Sequence, residues 1–342
     1  MNYIGSKKSL TNFIYENITN TVKPKHNNLI FADLFAGTGS IGSYFRSNGY
    51  YVISNDIQYY SYILNKHNIE NTSNKNFDLL LHLNSLKGVE GFIYNNYSKG
   101  SGSGRNYFTD ENSKKCDAIR IELERLYRDN LIDSSTYYLY LASLLNSVDK
   151  VANTASVYGS FLKNIKKSAS KNFILDPLPI INGPKGMVFN ENSTNLIKRI
   201  YGDILYLDPP YNNRQYSSNY HLLETIARYD YPKIKGVTGI RDCEDQNSEF
   251  CYKNQAALAL ENIIANANFK YIFISYNNEG IIPFEVIKYI MSKYGDYKLY
   301  STEYKRFKAD KDCNRNILSN YTIEYLHCLI KDDHYNYYNI FN

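Results

Sequence analysis

No apolar run in the chain approaches the roughly 20 residues that a membrane-spanning helix needs, which excludes an integral protein of that kind. No C-x-x-C pair occurs among the five cysteines (116, 243, 251, 313 and 328), so the usual zinc spacings are missing. Their odd number fits free thiols better than a disulfide framework. The first residues show no signal-peptide pattern, because Lys7-Lys8 is not followed by a continuous apolar segment. A reducing cytoplasm is the expected location. Tryptophan is absent beside 36 tyrosines. With the many Asn and Lys residues this reads as an AT-rich coding bias, so tyrosine abundance carries little functional weight. No internal repeat is visible, and the net charge of +5 is modest for 342 residues. What remains is a globular composition, 43% hydrophobic, long enough for one large core or two smaller domains.

The most informative segment is Asp208-Pro209-Pro210-Tyr211. It closes the apolar run Ile204-Leu205-Tyr206-Leu207, which reads as a short buried strand ended by two prolines that cannot continue a ladder. A carboxylate, a stiff kink and an aromatic ring therefore meet at the carboxyl end of a strand. In open α/β sheets that edge is where ligands bind. An acceptor-rich turn beside a stacking ring suits a planar amino-purine held by its exocyclic amine. An ordinary strand exit with a surface tyrosine would also fit, since a short motif is only a hypothesis.

A second constellation lies earlier. Leu29 to Phe35 is another candidate buried strand, and it runs into Ala36-Gly37-Thr38-Gly39-Ser40-Ile41-Gly42. Glycines at 37, 39 and 42 give a G-x-G-x-x-G spacing ahead of a helix-like stretch, Ile41 to Asn48. Such glycines allow a tight turn and close approach of backbone N–H groups to a ligand. The next strand, Tyr50 to Ser54, ends in Asn55-Asp56. Asp56 stands at the distance where an acid commonly receives ribose hydroxyls. Alone, the motif is compatible with NAD, FAD or S-adenosyl-L-methionine (SAM). No basic residue replaces the acid to take a 2′-phosphate, which disfavours NADP. The Asp33-Leu34-Phe35 lead-in and the later tetrapeptide favour SAM.

Taken in order, Asn2-Tyr3-Ile4-Gly5-Ser6-Lys7, Asp33-Leu34-Phe35-Ala36-Gly37-Thr38-Gly39 and Asp208-Pro209-Pro210-Tyr211 resemble the motif series of the alpha-type, Dam-like adenine-specific DNA methyltransferases. The resemblance spans essentially the whole chain. Gly104 to Phe108, Asp149 to Lys163 and Tyr211 to Glu224 further resemble a bacterial subgroup of type II modification enzymes. The resemblance implies a Rossmann-like SAM-dependent methyltransferase fold of class α/β, with a mixed sheet and an inserted, mainly helical target-recognition domain. Residues 1–70 and 189–342 would form the SAM-binding catalytic domain, and 71–188 the DNA-binding domain. It further implies SAM as cofactor, duplex DNA as partner, and a cognate restriction endonuclease system, not necessarily as a physical complex. For SAM it points to Tyr3, Lys7, Asp33, Phe35, Ala36, Gly37, Gly39, Asp56 and Asp208. Where relatives often carry an acid for the SAM adenine, this chain has Asn190-Glu191-Asn192-Ser193, and Asn192 is the substitute acceptor.

Charge is unevenly spread. Residues 91–171 hold 12 Lys/Arg against 8 Asp/Glu, nearly the whole positive excess. This segment contains a glycine-rich basic loop from Ser98 to Tyr107, with Lys99, Arg105, Asn106 and Tyr107. It also contains Lys163, Lys166, Lys167 and Lys171 near the end of an expected helical stretch. Positive charge and mobile glycine suit phosphate contacts and a loop that orders on a duplex. Asn213, Arg214 and Tyr216, in the polar stretch after the tetrapeptide, read as a flap near the target base. Helices are expected around Ala118 to Leu126, Tyr137 to Val148, His221 to Tyr229 and Gln255 to Ala267. A strand is expected at Tyr271 to Ser275, and an antiparallel pair from Tyr297 to Phe307 and Thr322 to Lys331. His221 has no Ser or Cys partner pattern and reads as structural.

The chemistry follows from adenine. Its N6 lone pair is delocalised into the ring, so the amine is a poor nucleophile. Acceptors at the Asp208 carboxylate and the Pro209 carbonyl would hold the amine hydrogens as the nitrogen becomes tetrahedral. Tyr211 would stack on the base and support growing positive charge. Such a pocket requires the base to leave the duplex. Two other classes stay open: a methyltransferase acting on RNA or protein amines, and a DNA-binding regulator without turnover. A fused nuclease lacks support: Glu303-Tyr304-Lys305 superficially fits an acid-x-Lys pair, but no suitable upstream strand-borne Asp accompanies it.

Overall fold

The computed structural model describes residues 5–24, 26, 28–155, 157–305 and 321–332. The chain begins with a short 3₁₀ turn, Lys7–Leu10, then α1 (Thr11–Thr21), β1 (Ile30–Asp33), α2 (Ser40–Ser47) and β2 (Tyr51–Asn55). Five helices follow: α3 (Tyr59–Asn65), α4 (Phe77–Ser85), α5 (Phe92–Tyr97), α6 (Asp110–Arg128) and α7 (Ser134–Val151). Next come β3 (Met187–Phe189), α8 (Ser193–Leu196), β4 (Tyr201–Leu207) and α9 (Tyr216–Arg228). The chain then forms α10 (Ala256–Asn266), β5 (Asn268–Asn277), α11 (Phe284–Ser292), β6 (Gly295–Lys305) and β7 (Tyr321–Lys331).

The strands form one sheet in the order β3-β2-β1-β4-β5-β7-β6. The first five are parallel, and β7 runs antiparallel to both β5 and β6. The sequence explains this division. β1, β4 and β5 are near-continuous apolar runs, as strands covered on both faces must be. From β1 the chain winds outward through β2 to β3, then returns to β4 on the other side of β1. The order therefore reverses between β1 and β4, and their carboxyl ends flank the crevice where such sheets bind ligands. This is the mixed, Rossmann-like sheet of SAM-dependent methyltransferases.

Two compact units divide the chain. The sheet unit comprises Gly5–Ile57, Ile181–Gln215 and Asn247–Asn342, as far as described. Its core is built from Leu205, Leu207, Ile272 and Ile274 of the central strands with Leu260, Ile263 and Ile287 of α10 and α11. The Phe31 ring of β1 stacks on Phe45 of α2 at 3.8 Å, which seats that helix on the sheet.

The helical unit comprises Gln58–Ile180 and Tyr216–Gln246, as far as described. Its boundaries differ from the expected 71–188: residues 58–70 and 216–246 join the helices, and 181–188 join the sheet. The reason is burial. Tyr60, Ile63 and Leu64 of α3 share a core with Leu139 to Leu145 of α7 and with Tyr220, Leu223 and Ile226 of α9. Glu224 of α9 accepts from the N–H groups of Tyr59 (3.3 Å) and Tyr60 (2.9 Å), capping α3. The expected polar boundary at 71–90 holds α4, whose N-cap Asn76 accepts from Leu79 N–H at 3.0 Å. Thr109 and Asp133 cap α6 and α7 in the same way.

No described helix is long and apolar enough to cross a membrane. Cys116, Cys243, Cys251 and Cys328 are buried free thiols; Cys313 lies outside the described residues.

Candidate active site

Parallel pairing sets Asp33 of β1 beside Ser54 of β2 and Tyr206 of β4. Asp56 follows β2 and Asp208 follows β4, so three carboxylates gather at the carboxyl edge of three neighbouring strands. Each has a separate job in the fold. Asp56 accepts from the Gly37 N–H at 2.8 Å, tying the glycine turn to the end of β2. Gly37 (φ 51°) and Gly39 (φ 76°) both take left-handed backbone, which non-glycine residues enter only with strain. Gly39 N–H also donates to the Ala36 carbonyl at 2.8 Å, closing the turn that opens α2. The Phe35 ring packs edge-on against Phe250, 5.1 Å between centres.

Asp33 is buried, and its Oδ1 has no hydrogen-bond partner among the described residues. Burial, then the nearby Asp208 charge, push its carboxyl well above the usual range despite the Phe35 N–H bond. An orphaned buried acceptor at a ligand-binding edge is a vacancy for a donor.

Asp208 is held in a different way. Its Oδ1 stands 3.3 Å from Lys7 Nζ, an ion-pair contact, and has no hydrogen bond of good geometry among the described residues. Lys7 Nζ bonds instead to Glu324 Oε1 at 2.7 Å, and that same oxygen accepts from Ser275 Oγ at 2.5 Å. Lys7 and Glu324 are both buried. Burial pushes the Asp208 carboxyl up to about 7; Lys7 opposes this and Glu324 adds to it. For the Lys7 ammonium, burial alone would lower proton affinity, but Asp208 and Glu324 outweigh it and hold it well above an ordinary lysine. The pair is thus an ammonium shared unequally between two carboxylates.

Tyr211 completes the cluster. Its ring lies 5.3 Å from Lys7 Nζ and meets Tyr276 edge-on at 6.3 Å. Its carbonyl accepts from Ile281 N–H at 3.1 Å, and Tyr276 Oη accepts from Ile282 N–H at 3.2 Å. A side chain at Gly280 would strike the Tyr276 ring, so a glycine there is required for this support. The two prolines and the 281–282 segment thus fix both faces of the turn. Beyond it, Gln215 pairs with Ser248 through two hydrogen bonds of 3.2 and 2.8 Å, leaving Asn213 and Arg214 exposed.

The structure revises several expected roles. Asn106 is buried, with its amide donating to the Leu162 (3.1 Å) and Lys163 (2.9 Å) carbonyls. Tyr107 has no exposed surface, and its hydroxyl shares its one hydrogen between the Tyr158 (2.8 Å) and Thr238 (2.9 Å) carbonyls. Both were expected on a DNA-facing loop; in this conformation they are core residues, because the turn folds their side chains under the helices. Arg105 braces the following loop, donating to the carbonyls of Asn96, Gly236 and Val237. The loop itself is tethered, with Gly100 N–H and Ser98 Oγ both bound to Asp110. The expected helix reaching Lys163 ends at Val151, and turns carry the lysines. Lys163 and Lys167 are exposed, as is Lys99. Lys166 instead donates to the Thr154 carbonyl at 2.6 Å, and burial lowers its proton affinity.

Asn192 caps α8, its Oδ1 accepting from the Thr194 N–H at 2.8 Å and hydroxyl at 2.5 Å. That acceptor is already engaged within the chain. Tyr216 opens α9 and stacks near Tyr220 in the helical unit. Tyr3 lies outside the described residues. His221 is structural, as expected: it is buried, bonds the Tyr158 carbonyl at 2.8 Å, and burial lowers it to about 4. Sequence reasoning missed Glu324 and Ser275. A signal existed, since Glu324 interrupts the apolar face of β7.

The family model for D12 class N6 adenine-specific DNA methyltransferases matches residues 3–290. The chain belongs to this family. It is therefore an enzyme that uses SAM to methylate adenine in DNA. It is 50% identical to the type II methyltransferase M.NlaIII of Neisseria lactamica, over 97% of this chain and 99% of that protein. The type II methyltransferase M.CviAII of Paramecium bursaria Chlorella virus 1 is 34% identical over 93% and 96% of the two chains. The type II methyltransferase M.FokI of Planomicrobium okeanokoites is 40% identical over 90% of this chain, which spans only 50% of that longer protein. Among solved structures, magnesium protoporphyrin IX methyltransferase from Synechocystis with bound SAM aligns over 95% of this chain and 80% of that one. It does so at 6% identity and a TM-score of 0.33.

The residues present fit the cofactor. SAM is cationic at its sulfonium and ammonium, and Asp33, Asp56, Asp208 and Glu324 surround the edge where it would lie. Asp33 Oδ1 offers an unsatisfied acceptor, and the left-handed glycine turn allows close backbone approach.

Proposed function

We propose that the enzyme methylates N6 of one adenine within a specific duplex sequence, after that base has turned out of the helix. The reading includes a role as the modification partner in a restriction–modification system, acting in the cytoplasm. The observation that carries it is the Asp208 carboxylate: half-buried at the ligand edge of the central strand, with a buried oxygen that has no hydrogen bond of good geometry among the described residues.

When bound, SAM supplies a methyl group on a good leaving group. The protein's part is to orient and stabilise. Asp208 Oδ1 and the Pro209 carbonyl accept the two amine hydrogens, drawing the N6 lone pair out of conjugation as positive charge develops. Pro209 and Pro210 keep the two acceptors at a fixed angle. Tyr211, braced by Tyr276, stacks on the extruded base and stabilises the charge through its ring face. Asp33, Phe35, Ala36, Gly37, Gly39 and Asp56 hold the cofactor, with Tyr3 and Lys7 completing the set. The exposed Lys99, Lys163 and Lys167, with Asn213, Arg214 and Tyr216, meet the duplex, chiefly at its phosphates. The buried free thiols are in keeping with a reducing compartment. Relatives named as type II methyltransferases support the restriction–modification role.

Sequencing DNA from cells that express the chain, with detection of N6-methyladenine, tests this. One short sequence should carry the mark on its adenine. Unmarked DNA, or methylation scattered without a common sequence, refutes the reading.

A further inference from the structure

Glu324 lies on β7, far in sequence from every motif discussed above, yet its carboxylate is fully buried beside the tetrapeptide. A buried carboxylate is costly unless paired, and an apolar residue of similar shape is often neutral or stabilising in its place. Its partners are specific. Oε1 takes Lys7 Nζ at 2.7 Å and Ser275 Oγ at 2.5 Å, while Oε2 has no hydrogen bond among the described residues. Lys7 Nζ is at the same time 3.3 Å from Asp208 Oδ1. The first helical turn, β5, β7 and the end of β4 therefore converge on one ammonium.

We propose that Glu324 is a positioning residue for methyl transfer: it anchors the Lys7 ammonium beside Asp208 without letting that ammonium consume the acceptor. This rests on the reading of Asp208 as the acceptor for the amine. If Lys7 paired with Asp208 alone, its hydrogens would occupy the lone pairs that the target amine needs. With Glu324 making the shorter bond, Lys7 stays close enough to favour the ionised form of Asp208 but leaves Oδ1 open. Ser275 locks the Glu324 carboxylate in the plane that achieves this.

The groups facing Asp208 are Lys7 from the first turn, Asp33 from β1, Tyr206 from β4, Tyr211 from the tetrapeptide and Glu324 from β7. Among them Glu324 raises the proton affinity of Asp208 and Lys7 lowers it. Replacing either should therefore move the acid side of the kcat–pH profile, in opposite directions.

The experiment measures kcat and KM against pH on a cognate duplex for wild type, Glu324→Gln, Lys7→Met and Asp208→Ala. In Glu324→Gln the acid limb should fall by about one pH unit, while the plateau rate drops as Lys7 turns fully onto Asp208. In Lys7→Met the limb should rise. A merely structural Glu324 would lower rates without moving the limb, so an unmoved limb in both variants overturns the proposal. Should Glu324→Gln fail to fold, Lys7→Met alone decides: a limb that stays or falls overturns it. Asp208→Ala separates the two claims. Wild-type turnover in that variant removes the acceptor reading itself, whereas an inactive Asp208→Ala with unmoved limbs removes only the role of Glu324.

Discussion

The Asp208→Asn variant should be more stable than the wild type, and increasingly so as pH rises. Burial pushes this carboxyl from 3.8 up to about 7, so ionising it inside the fold is unfavourable. A carboxyl raised in this way favours the folded state fully only below about pH 4, and that contribution is lost as pH climbs through about 7. Each tenfold change in proton affinity is worth about 1.4 kcal/mol, so the full penalty comes to about 4 kcal/mol at pH 8. At pH 5.5 the folded wild type is mostly protonated while the unfolded chain is not, and about 2 kcal/mol remains. Asparagine has nearly the same shape and no charge to bury. At about 2–4 °C per kcal/mol, its melting temperature should exceed wild type by about 10 °C at pH 8 and by about half that at pH 5.5. Differential scanning calorimetry on both proteins, at matched ionic strength, reads this directly. A melting difference that is flat or shrinks between pH 5.5 and pH 8 would refute the reasoning. The same variant should lose most methylation, which would make Asp208 a case of stability given up for function.

Two further perturbations probe cofactor and DNA. Asp56→Ala removes both the proposed ribose acceptor and the bond to Gly37 N–H, and should weaken SAM binding by about 1.5–3 kcal/mol. Unchanged affinity by calorimetry would leave Asp56 as a brace for the turn alone. Changing the exposed Lys163 and Lys167 to Ala should weaken all duplexes alike and lower the slope of log affinity against log salt by about 0.9 per lost phosphate contact. Titrations at several salt concentrations that give an unchanged slope would place the DNA elsewhere.

The fold was largely legible because its strands are the fully buried kind. Ile204 to Leu207 and Leu29 to Phe35 announce themselves as continuous apolar runs, and the structure places β4 and β1 there. β3 was not legible, since three residues with one exposed methionine carry no periodic signal. At the site, Asp208, Tyr211, Gly37 and Asp56 could be found because short local motifs hold them. Glu324 showed only as a charge on the apolar face of β7, because its meaning lies in a partner 317 residues away. The basic loop misled for a related reason. Glycine, serine and arginine read as mobile, yet Asp110, Asn153 and the Val237 carbonyl use their hydrogen bonds to fold the loop down. Long-range pairing of this kind leaves little trace in composition.

The central claim is methyl transfer to adenine N6 at the Asp208 acceptor. Purified wild type and Asp208→Ala should be incubated with isotopically labelled SAM and an adenine-containing duplex bearing the cognate sequence. Nucleosides from the digested DNA are then resolved by mass spectrometry. Labelled N6-methyladenine with wild type should fall by about 100-fold or more in the variant, the loss expected when one preorganised transition-state contact is removed. SAM affinity should hold within a few-fold. Label on another base, or equal N6-methyladenine from both proteins, would contradict the account.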